Sequence, residues 1–182
     1  NKGTFWSNDG DQIAFYRKDE SLVSNYPLMK IDSRVGHASM IKYPMAGMQS
    51  HHVSLGIYNI KTDKIIYLDT GEPKEQYLTN VCWGPKDQYI YIAVLNRDQN
   101  HLKFNKYNAI DGTYVKTLFE EKSDKYVQPL NHMEFISNDK FLWRSERNGF
   151  DNFYLYNTDG KLIKKILNQN HIVKEYYGYN ND

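Results

Sequence analysis

Tyr154-Leu155-Tyr156-Asn157-Thr158-Asp159-Gly160, YLYNTDG, is an alternating strand that runs into a tight turn. Its Tyr-Asn pair occurs twice earlier, at Tyr58-Asn59 in GIYNIKTD and at Tyr107-Asn108 in NKYNAIDG. The three tyrosines are spaced 49 residues apart in both intervals. Equal intervals of this length mark a structural repeat.

Aligned on these pairs, more of each unit falls into register. Upstream comes an aromatic residue, a turn and an apolar strand: FWSNDGDQIAFYR at 5–17, CWGPKDQYIYIAVLN at 82–96 and FISNDKFLWRSER at 135–147. The turn cores Ser7-Asn8-Asp9-Gly10, Gly84-Pro85-Lys86-Asp87 and Ser137-Asn138-Asp139 hold residues that favour tight turns. After each Tyr-Asn pair comes a second turn and another alternating run: KIIYLDT at 64–70, TYVKTLFEE at 113–121 and KLIKKILNQ at 161–169. Each unit therefore reads as four short strands, A to D, joined by hairpins.

Four antiparallel strands repeated every 40 to 50 residues are the signature of propeller blades, and regular unit length favours blades over an all-β sandwich. The predicted architecture is an all-β arc of about three four-stranded antiparallel blades plus one strand of a fourth. Blade one covers about 1–72, blade two about 76–123 and blade three about 130–170, and EYYGYNND within 174–182 starts the next. Three blades do not close a ring, so further blades are expected outside these residues, and a start at Asn1 rather than Met reads as a processed chain or excised piece.

The bulk numbers fit a globular chain and exclude several classes. Hydrophobic residues make up 40% and charged residues 25% of 182, with 16 tyrosines. Tyr suits a pleated surface, where its ring packs and its hydroxyl reaches water. A net charge of +1 gives no electrostatic case for nucleic acid or an anionic membrane. No segment approaches the roughly 18 apolar residues of a membrane helix. The one cysteine, Cys82, lies between apolar neighbours without a basic group beside it and reads as an inert thiol.

The first unit is long. Trp6 to Tyr58 spans 52 residues, against 24 from Trp83 to Tyr107 and 21 from Phe135 to Tyr156. The surplus, about 18–50, carries Tyr26, Leu28, Met29, Ile31, Met40, Ile41, Tyr43 and Met45 between strands B and C. It is an arm that buries these groups on a partner, or a hairpin folded back on its own blades.

GTFWSNDG, IAFYRKDES, YPMAGMQSHHVSLGIYN, TGEPKEQYLTNVCW, YIYIAVLNRDQNH and SERNGFDNFYLYNTDG together resemble the β-propeller domain of bacterial dipeptidyl peptidase IV, of the prolyl oligopeptidase clan. The resemblance covers essentially the whole chain and is most specific over 42–59 and 71–83. It implies an arc of an eight-bladed propeller, joined in the parent protein to a C-terminal α/β-hydrolase domain with a Ser–Asp–His triad. It further implies removal of X-Pro and X-Ala dipeptides from peptide N-termini, a propeller that gates access, export to the periplasm or cell envelope, and no cofactor. The family's paired glutamates would lie just upstream of Asn1. None of the ten serines sits in a G-x-S-x-G elbow, so no catalytic residue is expected here.

By the same resemblance, the segment KSDKYVQPLNH at 122–132 faces the substrate cavity, and Tyr126, Val127 and Gln128 are its candidate substrate-binding residues. The family's animal members carry an arginine there, and this segment has none. The blade extension, with Tyr43, Pro44 and Met45, corresponds to a dimerisation arm, which favours a homodimer.

Other charged groups read as structural. Glu120-Glu121 ends strand D, the outer strand of a blade, and reads as a solvated pair. Asp19-Glu20 is assigned to the arm. His51-His52 cannot share a metal, because neighbours on a strand point to opposite faces and no Cys or third His stands at ligand spacing. Asp111-Gly112 and Asp159-Gly160 are hairpin turns, not calcium loops. The expected function is the non-catalytic propeller part of a serine exopeptidase acting on peptides with penultimate Pro or Ala, without nucleic acid or metal. The alternatives are a non-enzymatic propeller used as an interaction platform and a relative whose triad is lost.

Overall fold

A computed structural model describes residues 3–167 and 172–179. Three four-stranded antiparallel sheets follow one another along the chain. Blade one is β1 (Thr4–Trp6), β2 (Gln12–Asp19), β5 (His52–Asn59) and β6 (Lys64–Tyr67), in spatial order β1-β2-β5-β6. Blade two is β7 (Gln76–Trp83), β8 (Tyr89–Asn96), β9 (His101–Asn108) and β10 (Tyr114–Lys122). Blade three is β11 (Glu134–Phe135), β12 (Lys140–Ser145), β13 (Asn152–Asn157) and β14 (Leu162–Lys165). β3 (Asn25–Lys30) and β4 (His37–Lys42) form a separate two-stranded sheet.

The blades bury their faces against each other. One core cluster joins Ala14, Leu55 and Ile57 of blade one to Trp83, Ile90, Ile92 and Tyr107 of blade two. A second joins Tyr91, Leu102, Phe104 and Leu118 of blade two to Phe141, Trp143, Tyr154 and Tyr156 of blade three. It is mostly aromatic: Phe104 and Trp143 have ring centroids 4.9 Å apart, and Phe119 stacks on Tyr156 at 4.6 Å.

The recurring Tyr-Asn pair has two jobs. The asparagine holds the turn between strands C and D: Asn59, Asn108 and Asn157 each accept backbone N–H groups from residues two to four further on, through Oδ1. The tyrosine fills the seam to the preceding blade, and Tyr107 and Tyr156 are buried there. Tyr58 has no preceding blade among the described residues, and its hydroxyl instead donates to Asp63 at 2.9 Å.

The same turns press on the neighbouring backbone. A Cβ on Gly112 would fall within 3.0 Å of the Tyr67 carbonyl oxygen, and one on Gly160 within 3.0 Å of the Leu118 carbonyl oxygen. Both glycines have positive φ, 77° and 87°. In blade one the matching left-handed position is Asp63, at φ 54°. At the other end of the first seam, Asp87 accepts the backbone N–H groups of Asn8 and Asp9, each at 3.0 Å, and Trp83 Nε1 donates to the Phe5 carbonyl at 3.0 Å.

The register places all connections that leave strands B and D on one edge of the arc. Asp19 pairs with His52, Gln76 with Asn96, Lys122 with His101 and Ser145 with Asn152. This edge is the connector face. The arm rises from it. Its hairpin does not fold back on the blades: β3 is exposed throughout, and apolar groups show on both faces, Tyr26, Leu28 and Ile41 on one, Met29 and Met40 on the other. Val23, buried at the base, ties the arm down by accepting from Lys42 Nζ at 2.8 Å.

Two boundaries differ from expectation. The ladder of β14 covers only Leu162–Lys165, and 168–169 of the expected strand lie outside the described residues. The fourth-blade strand expected over 174–182 is not formed over 174–179, and 180–182 lie outside the described residues. Residues 172–179 pack on blade three, with Tyr176 beside Phe153 at 4.9 Å. They make no ladder because a first strand pairs with the second strand of its own blade, and none is present among the described residues.

Gly112→Ala and Gly160→Ala should each lower the urea unfolding free energy by about 2–4 kcal/mol, since each combines a left-handed backbone with a backbone clash. Gly149→Ala, also at positive φ but facing open space, should cost only about 1 kcal/mol.

Candidate functional site

The segment after β10 crosses the connector face to β11 and lines a cavity of about 420 Å³ with Lys125, Tyr126, Val127 and Gln128 on one side and Glu146 and Arg147 on the other. Four hydrogen bonds fix its path. Ser123 N donates to the Asn100 carbonyl at 3.0 Å and Val127 N to the Gln99 carbonyl at 2.7 Å, so the segment hangs on the β8–β9 loop. Lys125 N donates to Ser123 Oγ, and Asn80 Nδ2 to the Pro129 carbonyl at 3.1 Å. Asn80 holds a left-handed φ of 54° within the bulged part of β7, which aims its amide across the seam.

The three predicted residues divide by role. Val127 is 8% exposed and belongs to the second core cluster, so it anchors the segment. Tyr126, 57% exposed, and Gln128, also exposed, present their side chains to solvent at the cavity and can reach a ligand.

The cavity floor corrects the reading of Glu120-Glu121 as a solvated pair. Glu120 is on the surface, 2.7 Å from His101 Nε2 and 3.5 Å from Lys122 Nζ, and the His101 hydrogen bond holds its carboxyl below the usual range. Glu121 points the other way and is 8% exposed. Its Oε1 accepts from Trp143 Nε1 and Arg147 Nη2, both at 2.6 Å, and its Oε2 accepts from Ser145 Oγ at 2.8 Å. Alternation along a strand separates the two. Breaking a buried pair costs about 3–5 kcal/mol, against about 0–1 kcal/mol for an exposed one, so only Glu121 carries weight.

Sequence reasoning missed Arg147. The connecting segment has no arginine, but the β12–β13 loop brings one to its wall. The arginine is not free for a ligand. Its Nη1 donates to Tyr156 Oη at 2.6 Å, its Nε to Ser145 Oγ at 3.2 Å, and its guanidinium lies 4.3 Å from the Tyr154 ring centroid. Strand alternation at Glu120-Glu121 was the one available signal.

The remaining candidates lie outside this cavity. Asp19 Oδ1 caps the Ser21 N–H at 2.9 Å, and Glu20 pairs with Lys18 at 2.8 Å, both at the arm's root. Tyr43 and Met45 are exposed, Pro44 is half-buried, and Tyr43 packs on Tyr26 at 5.7 Å. Burial pushes the Cys82 thiol up to about 11. Among the described residues, no group of three His, Cys, Asp or Glu is placed to hold a metal, and no helix is long and apolar enough to cross a membrane.

Three consecutive four-stranded blades, with their connections gathered on one edge, define this chain as an arc of a β-propeller. The family profile described as Dipeptidyl peptidase IV (DPP IV) N-terminal region matches residues 1–182, and the chain belongs to that family. A Bacteroides ovatus protein assigned as a dipeptidyl aminopeptidase IV superposes with a TM-score of 0.82 at 48% identity, covering 88% of this chain and 23% of its own. Porphyromonas gingivalis dipeptidyl peptidase 4 gives 0.84 at 27% identity, covering 96% and 25%. A Phaeosphaeria nodorum protein assigned as dipeptidyl-aminopeptidase B is 30% identical over 164 residues, 80% of this chain and 18% of that protein. The chain thus spans a quarter or less of the relatives it matches.

Two measurements check this assignment of roles. Val127→Ala should lower stability by about 1–2 kcal/mol while Tyr126→Ala leaves it within about 0.5 kcal/mol. A thiol reagent at neutral pH should leave Cys82 unlabelled in the folded chain and react once urea unfolds it, because the protonated thiol is a poor nucleophile.

Proposed function

We propose that this chain is the substrate-gating part of a dipeptidyl peptidase propeller, and that the full-length protein removes X-Pro and X-Ala dipeptides from peptide N-termini through a serine of its hydrolase domain. The observation that carries the reading is the cavity wall on the connector face, where Tyr126 and Gln128 are exposed in a chain of this family. Such a wall restricts and orients a substrate that another domain attacks, so it acts on substrate binding more than on the chemical step. The related solved structures are of a dipeptidyl aminopeptidase IV and a dipeptidyl peptidase 4, which supports the reaction class.

The exposed arm supports a homodimer. Apolar groups on both faces of a two-stranded ribbon are costly in water and are covered when a second copy grips them. Residence in the periplasm or cell envelope is part of the same proposal and rests on the family resemblance alone.

Glycyl-prolyl-p-nitroanilide separates the readings. The full-length protein should release p-nitroaniline and the 182-residue chain should not. A folded full-length protein that releases none would overturn the peptidase reading and leave a propeller used as an interaction platform. Within an active protein, Gln128→Ala should change KM unevenly across substrates with different first residues, with kcat held within about two-fold. Met29→Asp with Met40→Asp should convert a dimer to a monomer by light scattering, and a dimer that survives would remove the arm from the interface.

A further inference from the structure

We propose that Glu121 and Arg147 are a positioning pair: they couple the end of β10 to the β12–β13 loop, so that the two walls of the cavity hold one fixed spacing. The inference rests on the peptidase reading only for its kinetic consequence.

The two residues sit at the roots of the two walls. Glu121 is the next-to-last residue of β10, and the segment bearing Tyr126 and Gln128 begins two residues later. Arg147 is the second residue after β12, in the loop that forms the opposite wall. Between the pins at Ser123 and Val127, the first wall has only the link from Lys125 N to Ser123 Oγ, inside the segment itself. Those pins tie the segment to blade two, and Glu121, two residues before its start, is the joint that ties its root to blade three.

Every polar atom of the pair is committed to this joint. Both Glu121 oxygens accept from blade three, from Trp143, Ser145 and Arg147. The three guanidinium nitrogens are bonded to Ser145, Tyr156 and Glu121. Ser145 Oγ closes the circuit by also accepting the Arg147 backbone N–H at 3.1 Å, which fixes the first turn of the loop. The Arg147 side chain is 23% exposed and lies over aromatic rings that favour a cation, and the Glu121 carboxylate is the anion that ties it to β10. Without that charge the guanidinium keeps its contacts within blade three and loses its tie to β10, so the joint between the two walls loosens.

Hydrogen exchange on the full-length protein tests the coupling without depending on activity. Glu121→Gln keeps the shape and removes the charge. It should speed exchange about ten-fold or more in peptides covering 122–133 and 146–153, and leave the arm hairpin at 25–42 and the strands of blade one unchanged. The double variant Glu121→Gln/Arg147→Gln should loosen both walls by less than the product of the two single effects, because no unpaired charge remains. Arg147→Lys, which keeps the charge but not the fork, should act in the same direction more weakly and serves if Glu121→Gln does not fold. Unchanged exchange in either wall, or equal acceleration throughout the chain, would overturn the proposal. In an active protein, Glu121→Gln should raise KM several-fold with kcat within about two-fold. A fall in kcat at constant KM would also overturn it. A full-length protein without peptidase activity would sink the peptidase reading alone, since the exchange result still decides the coupling.

Discussion

Every blade of this chain is a thin sheet with two faces that cannot be buried within the blade. The seam between consecutive blades is therefore the constraint on which the structure depends. Phe104 stacks on Phe119 within its own sheet, yet its burial is completed by Phe141 and Trp143 of the next. The seam also dictates details far from its centre. It requires glycine where the C–D turn of one blade meets the D strand of its predecessor, and it puts Tyr107 and Tyr156 at equivalent places. Polar contacts set the register: Asp87 grips the opposite turn at the first seam, and Glu121 grips a strand and a loop at the second.

The two seams are built differently. The first joins backbone to side chain, through Trp83 on Phe5 and Asp87 on Asn8 and Asp9, and its ionic content is low. The second carries a carboxylate and a guanidinium near the connector face. A buried pair adds little net stability over a well-packed apolar substitute, so its value lies in selecting one geometry. That choice falls where a cavity wall must be held, while the first seam serves as plain scaffold.

Blade count, strand order and the arm were legible in the sequence because they rest on periodicities local to it. Alternation gives the strands, Asn108 and Asn157 mark the turns, and the fixed interval between Tyr-Asn pairs gives the repeat. The cavity was legible only in part. Tyr126, Val127 and Gln128 are neighbours in sequence, but which of them faces solvent depends on bonds to Asn80, Gln99 and Asn100, far earlier in the chain. Arg147 reaches the site from another blade, a relation that no spacing rule expresses. Glu121 was misread for a similar reason: strand D is the outer strand of its own blade, yet its inward face looks onto the next. EYYG has the composition of a first strand, but strand character belongs to a pair, and no second strand of its own blade lies beside it among the described residues.

The arm bears on how the chain acquires its shape. β2 and β5 are ladder partners from Asp19–His52 to Gln12–Asn59, yet the whole arm separates them. Closing so long a loop is entropically slow, whereas β3 and β4 meet across a short turn after Lys30. A hairpin formed early shortens the effective loop and brings His52 back beside Asp19. The arm is then a staple as well as an extension: its own ladder closes most of the insertion locally, so that the β2–β5 ladder has only a short remaining gap to span.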